Sequence, residues 1–220
     1  MAKSSPEKPP PPNVRAQLLS TEHAGLLAAR STAQSEVLTR ITIFLTLFSA
    51  SLVSIALVGQ ATKFGDLFGP SAIAVLLIVA IVGQLTQLRV VSIGIEDLMY
   101  VLAMNRIRSA WVDLDPGVAP YLLTSAHDDR AGSIRTYDFF STRTAVVQVG
   151  GSSMVLIMVV NSMLLGLLAA AICLTADAPR WLIFVVGATV AIAFFVGSVL
   201  RGQRIYLGVW KQFVPLNPTP

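Results

Sequence analysis

Apolar residues fall into four long runs, parted by two short polar breaks and one long polar segment. The first run goes from Ile41 to about Gln60, fenced by Arg40 and Lys63. The second opens near Ser71, after Gly69-Pro70, and stays largely apolar until Arg89, the span closing at about residue 91. The third runs from about Val146 to Leu174 and the fourth from Trp181 to Leu200. A membrane-crossing helix needs about 20 predominantly apolar residues, and every run meets that length. A helix buried in a soluble core would be shorter and broken by charge. The pattern predicts an all-α membrane protein with four transmembrane helices, over about 41–60, 71–91, 146–174 and 181–200 of a domain spanning 41–200.

Helical periodicity also continues outside the spans. Leu18, Leu19, Leu26, Leu27, Val37 and Leu38 recur among Arg15, Glu22, Arg30 and Glu36, which predicts a juxtamembrane helix over 14–40. Ser31 followed by Gln34 has the spacing of a capping box, so a bend and restart are expected there. Ahead of this helix, residues 1–13 are rich in Pro, Lys and Ser and read as a disordered tail. In the second span, Val91, Ile95, Leu98, Leu102, Ile107 and Trp111 extend the apolar stripe. One helix from about Ser71 to Leu114 is predicted, ended by Asp115-Pro116-Gly117, with Gly94 a possible bend. At 1.5 Å per residue its last ~25 residues would reach roughly 35–40 Å beyond the bilayer. The remainder of the insert 92–143 reads as a structured loop with one short helix, and 201–220 as a polar tail.

Composition agrees with this division. Hydrophobic residues make up 54%, charged residues 13%, and one Cys excludes a disulfide framework. Of the sixteen Lys and Arg, only Lys63 and Arg180 lie in the two short connections. The other fourteen fall in the N-terminal segment, the central segment counted from Arg89, and the C-terminal tail, which predicts that both termini and the insert are cytoplasmic. The expected location is the plasma membrane. Forty residues precede the first run without a signal-peptide pattern, so that span reads as a retained anchor. Phe64, Phe68 and Trp181 suit the outer interface, and Tyr206 and Trp210 the inner one. The net charge of +4 therefore records sidedness. Six basic residues, counting Arg89 at the end of the second span, against seven acidic ones leave no basic stripe for nucleic acid in the central segment. Arg201, Arg204 and Lys211, with no acid beside them, suit anionic lipid headgroups at the tail.

No ionisable group lies deep in a span, which argues against a proton-coupled carrier or voltage sensor. The polar residues there are Ser49, Ser51, Ser54, Gln84, Thr86, Gln87, Asn161 and Ser162. Interhelical hydrogen bonding, at about 0.6 kcal/mol each, is the favoured reading. Ser54, Gln84 and Asn161 are the residues that would line a pore. Small residues form stripes at Ser162, Gly166 and Ala170, at Gly187 and Ala191, and at Ala193 and Gly197, suited to close helix contact within a bundle or between protomers. His127-Asp128-Asp129 and Glu22-His23 carry metal-ligand chemistry, but adjacent residues seldom converge on one ion and no second ligand group stands at metal spacing. A solvated turn with Asp as a cap is expected instead. No nucleophile elbow, Walker loop, dinucleotide fingerprint or EF-hand occurs, so neither cofactor nor metal is called for.

Several stretches together resemble a group of actinobacterial integral membrane proteins with no assigned activity. They are Thr21-Glu22-His23 with Leu26 to Ser31, Glu36 and Arg40 leading into Phe44-Leu45, Ala56-Leu57-Val58 with Gln60-Ala61-Thr62, Met104 to Arg108, Pro120-Tyr121, and His127-Asp128-Asp129 with Gly132. The resemblance covers roughly 20–135 and is weaker over the last two spans. Ala24 stands where the group has an aromatic residue. The resemblance implies a plasma-membrane location and transfers no catalytic residue.

The expected function is that of an interaction, regulatory or assembly subunit acting through cytoplasmic helices, as a homo-oligomer or with a membrane-protein partner. Candidate interaction residues are Glu22, His23, Arg30, Glu96, Asn105, Arg106, Arg108, His127, Asp128 and Asp129. The alternatives are an oligomeric channel or small-solute pore and, third, a membrane-interface enzyme using Glu22, His23, His127 and the adjacent Asp residues.

Overall fold

The computed structural model describes residues 11–138 and 152–220. Among these it is all-helical, and four helices are long and apolar enough to cross a membrane. They are α1 (Pro12–Ala61), α2 (Phe68–Leu114), α4 (Ser153–Thr175) and α5 (Arg180–Gln212). A 3-10 turn over Pro116–Tyr121 and a short α3 (Arg130–Tyr137) lie between α2 and α4. This is a multi-pass membrane protein of the all-α class.

Several local expectations change. α1 starts at Pro12, whose missing N–H costs nothing in a first turn, and the Pro11 carbonyl accepts from Arg15 N–H at 3.0 Å. Two residues of the expected tail are thus helical, and residues 1–10 lie outside the described ones. No restart occurs at Ser31, because α1 is continuous from Pro12 to Ala61. A cap stabilises only where backbone N–H groups lack partners, and the Ala-rich neighbours of Ser31 keep the helical ladder intact. The Thr32 hydroxyl donates to the Ala28 carbonyl at 3.0 Å, one turn back, as helical threonines do. α2 runs to Leu114 without a break at Gly94 and is closed by Asp115, whose side chain accepts from Gly117 N–H at 2.9 Å. Arg143 and the expected start of the third span at Val146 lie outside the described residues. α4 is seen from Ser153, capped by Ser152, whose hydroxyl accepts from Val155 N–H. α5 continues to Gln212, so the first part of the expected tail is helix.

The chain forms two compact units. Unit 1 takes Met1–Ala33, Glu96–Thr142 and Phe213–Pro220; unit 2 takes Gln34–Ile95 and Arg143–Gln212.

Unit 2 carries its apolar side chains outward as well as inward. Val53, Leu57, Ile78, Leu85, Phe184 and Ile192 are all exposed, which suits a surface whose solvent is hydrocarbon. The polypeptide reverses after α1 through Lys63 and Phe64, two consecutive left-handed residues with φ of 51° and 56°. Gly59 makes this possible, since a Cβ there would lie 2.5 Å from the Phe64 ring. At the head of α2, a Cβ on Gly69 would lie 2.1 Å from Thr175 Cγ2. The two short connections therefore sit side by side.

Close packing joins α4 and α5. A Cβ on Gly166 would lie 2.7 Å from the Gly187 carbonyl oxygen and 3.0 Å from Ala191 Cβ, so the two stripes of small residues meet within one chain. Gly197, on the neighbouring stripe, meets nothing within 4 Å. α1 and α2 are joined by Glu36, whose carboxylate accepts from Arg89 Nε and Nη2 at 3.0 Å each and from Arg40 Nε at 2.8 Å. These two guanidiniums hold the Glu36 carboxyl down at about 2.

Two outcomes are expected. Gly166→Ala should destabilise by about 1–3 kcal/mol through overpacking, whereas Gly197→Ala should be neutral or slightly stabilising, read from denaturant midpoints in detergent. Because the Glu36 pKa is depressed, its contribution is present above about 4.5 and lost as pH falls towards 2. The stability difference between wild type and Glu36→Gln should shrink over that window; a constant difference would show that the ion pairs do not contribute.

Candidate functional site

The candidate interaction residues outside the spans belong to unit 1, and several of them are arranged around Asn105. On α2, Asn105 has no exposed surface. Its amide donates from Nδ2 to the His127 carbonyl at 2.8 Å. Its Oδ1 accepts from Arg108 Nη1 at 2.7 Å and from Thr136 Oγ1 at 3.1 Å. One side chain therefore ties α2 to the loop before α3 and to α3 itself. Gly132 fits beneath that loop, because a Cβ there would lie 2.1 Å from the His127 carbonyl oxygen.

The two adjacent aspartates point to different partners. Asp129 caps α3, accepting from Gly132 N–H at 2.8 Å, and also takes the hydroxyl and N–H of Thr219. Asp128 is fully buried and accepts from Arg106 Nε, from Leu216 N–H at 2.9 Å and from Asn217 N–H at 2.8 Å. Its own N–H donates to the Asn217 carbonyl. Arg106 reaches the Val214 carbonyl at 3.0 Å and lies 4.8 Å over the Phe213 ring. Asn217 completes the join through Ser109 Oγ and the Ala126 carbonyl. Burial works to raise the Asp128 pKa. The backbone N–H of Leu216, the Arg106 guanidinium and the backbone N–H of Asn217 together outweigh it and hold the carboxyl below its usual range. Asp129 is likewise lowered against burial, by Gly132 N–H and the two groups of Thr219.

A second cluster binds α1 to α2 and α3. Arg30 grips Asp97 with two bonds, Nε to Oδ1 at 2.6 Å and Nη2 to Oδ2 at 3.2 Å. The Tyr137 hydroxyl donates to Asp97 Oδ2 at 2.7 Å. His23 packs on Trp111 with ring centroids 5.1 Å apart, and its Nε2 is buried without a hydrogen-bond partner. Burial and then the Arg108 charge push the His23 pKa down, favouring the neutral ring. Arg108 is itself lowered by burial and by Arg30. Glu22 is exposed and Glu96 half-buried. His127 Nδ1 is buried without a partner. Among the described residues no three His, Cys, Asp or Glu side chains gather as metal ligands. The aspartates instead hold a loop, a helix terminus and the segment after α5.

In unit 2 the polar residues of the spans divide. Ser54 is exposed, its hydroxyl donating to the Ala50 carbonyl of its own helix at 2.9 Å. Asn161 has no exposed surface and donates to the Gly83 carbonyl and to Gln87 Oε1, both at 2.8 Å. Gln87 passes the connection on to Ser198 Oγ at 3.2 Å. Gln84 Nε2 is buried and lacks an acceptor.

Sequence reading did not anticipate Asp97, Tyr137, Leu216, Asn217 or Thr219. Charge alone drew attention to the C-terminal segment, whereas its contribution is made by backbone N–H groups and one amide. The available signal was chemical: two adjacent Asp in a loop need donors, and Asn217-Pro218-Thr219 supplies them.

No protein family, curated protein or solved structure matches the chain.

Asp128→Ala should leave the Leu216 and Asn217 N–H groups and the Arg106 guanidinium without their acceptor. The Arg106 side chain is partly exposed and can be rehydrated, so the cost is that of the orphaned donors, about 1–3 kcal/mol. Residues 213–220 should then lose amide-exchange protection by at least tenfold while α4 and α5 keep theirs, measured by hydrogen exchange in detergent.

Proposed function

We propose that this chain is a plasma-membrane interaction or assembly subunit whose recognition surface lies on unit 1, with both termini cytoplasmic. The carrying observation is the apolar surface of that unit. Tyr121 is 83% exposed, Leu123 77% and Leu18 62%, and Val14 stands one turn before Leu18. Unit 2 has a reason to show apolar side chains, since its helices meet lipid; unit 1, held together by the buried Asp128 and half-buried ion pairs, does not. Exposed apolar surface on a water-facing unit signals a protein partner. That partner is a second copy of the chain or another membrane protein.

Sidedness draws on two supports. Unit 1 is assembled from Met1–Ala33, Glu96–Thr142 and Phe213–Pro220, which belong on one side of any membrane that the four spans cross. The Lys and Arg distribution assigns that side to the cytoplasm. The same distribution favours anionic lipid headgroups near Arg201, Arg204 and Lys211. The engagement of Asp128 and Asp129 in structural bonds supports a recognition role over the enzymatic alternative.

Crosslinking in intact membranes should capture a homo-oligomer or a defined neighbour. Leu18→Glu together with Leu123→Glu should reduce the captured species at least tenfold without changing helical content. A wild-type chain that yields only monomers would overturn the proposal.

A further inference from the structure

Unit 2 contains a groove of about 710 Å³ between α2 and α5, with Met158 of α4 at its edge. Its walls are apolar, with Leu88, Val91 and Ile95 on one side and Phe194 and Ile205 on the other. Its floor is the third stripe of small residues. Where Gly166 and Gly187 close on each other, a Cβ on Gly197 would meet no neighbouring atom within 4 Å, so this face of α5 is left open. The groove is anchored across by the Gln87–Ser198 hydrogen bond, which sets Gln87 and Ser198 at the same level.

Two polar features mark who would occupy it. Gln84 lines the groove, and its Nε2 is a buried donor with no acceptor in the protein. Arg201 also lines it, is exposed, and follows directly on the apolar stretch of α5. Gln84 lies one turn before Gln87 and Arg201 one turn after Ser198, which puts their backbones about 9 Å apart along the groove at 1.5 Å per residue. A ligand matching this lining has a hydrocarbon chain, an uncharged carbonyl acceptor and, within about 9 Å, an anion. A zwitterionic lipid brings the same phosphate together with an ammonium that the Arg201 charge repels, whereas an anionic lipid brings the phosphate with no opposing cation.

We infer that this groove is a specific site for one anionic phospholipid, its phosphate on Arg201, an ester carbonyl accepting from Gln84 and an acyl chain between Phe194 and Leu88. The inference rests on the reading that the basic end of α5 meets a leaflet containing anionic lipid. It goes further in naming a shaped site where that reading needs only surface charge. Arg204 and Lys211 belong to the surface charge and do not line the groove.

The test is lipid retention by the full chain in mild detergent, followed by native mass spectrometry. The probes are phosphatidylglycerol and phosphatidylcholine with identical acyl chains. Wild type should retain one phosphatidylglycerol at least tenfold more tightly than phosphatidylcholine. Gly197→Leu fills the groove while leaving every charge in place, and should reduce retention at least tenfold. Arg201→Gln leaves the groove open and should abolish the preference between headgroups. Arg204→Gln with Lys211→Gln should leave the tight lipid bound. Equal retention of both lipids by wild type, or undiminished retention by Gly197→Leu, would overturn the site. Loss with Arg204→Gln and Lys211→Gln but not with Gly197→Leu would leave surface attraction standing and remove the groove. If Gly197→Leu does not fold, judged by helical content and gel filtration, Arg201→Gln carries the test alone: a preference that survives it refutes the site.

Discussion

The hydrogen bonds of the Asn161 amide decide which faces of α2 and α4 meet in the apolar unit. A bilayer supplies little hydrophobic force between helices, because a lipid tail is as apolar as a leucine. Leucine stripes alone would therefore leave helix rotation undetermined. Asn161 removes that freedom by donating to the Gly83 carbonyl and to Gln87, which in turn reaches Ser198 on α5. Gly83 is part of the same device: a Cβ there would lie 2.2 Å from Asn161 Oδ1 and 2.8 Å from the Phe44 ring. At about 0.6 kcal/mol per bond the network contributes little free energy. Its effect is orientation, with the Gly166–Gly187 contact supplying the close approach.

Unit 1 is organised by other means. Its hydrogen bonds pass between side chains and backbone of segments remote in sequence, and the central group is again an amide, that of Asn105. Around it the charged groups are spent on closure. Arg30 and Asp97 bind α1 to α2, and Arg106 and Asp128 bind α2 to the loop before α3 while each also holds the segment after α5. Both pairs are partly buried, and Asp128 alone is closed off from water, so removing Arg106 would leave a buried carboxylate with backbone donors only.

The spans were legible because few surroundings except a bilayer tolerate an apolar run of about 20 residues, and the long continuation of α2 was legible from its stripe. The capping-box signal at Ser31 misled because a local cap competes poorly with an uninterrupted ladder. α5 passed Leu200 because Arg201 and Arg204 are good helix formers whose charge disguises helical continuity as a tail. Apart from Arg108 beside Asn105, the partners of Asn105 and Asp128 lie 22 to 89 positions away, and nothing in their neighbours announces them. The small residues were recognised as a class. Which stripe closes and which stays open depends on the rotation of α5, and that is set by Ser198, one hydroxyl among many in the sequence.

The join between Asp128 and Asn217 also fixes an order of events during synthesis. Asp128 is made 89 residues before the N–H group of Asn217 that it accepts from. At translation rates of about 5–20 residues per second, the interval is roughly 5–20 s. Through that interval α4 and α5 are produced, while the loop of unit 1 holds a carboxylate and an arginine awaiting their partners. Unit 1 is therefore completed late, its closure gated by the delivery of two hydrophobic segments, and a nascent chain stalled within α5 would display an unfinished polar core to the quality-control machinery of the cell.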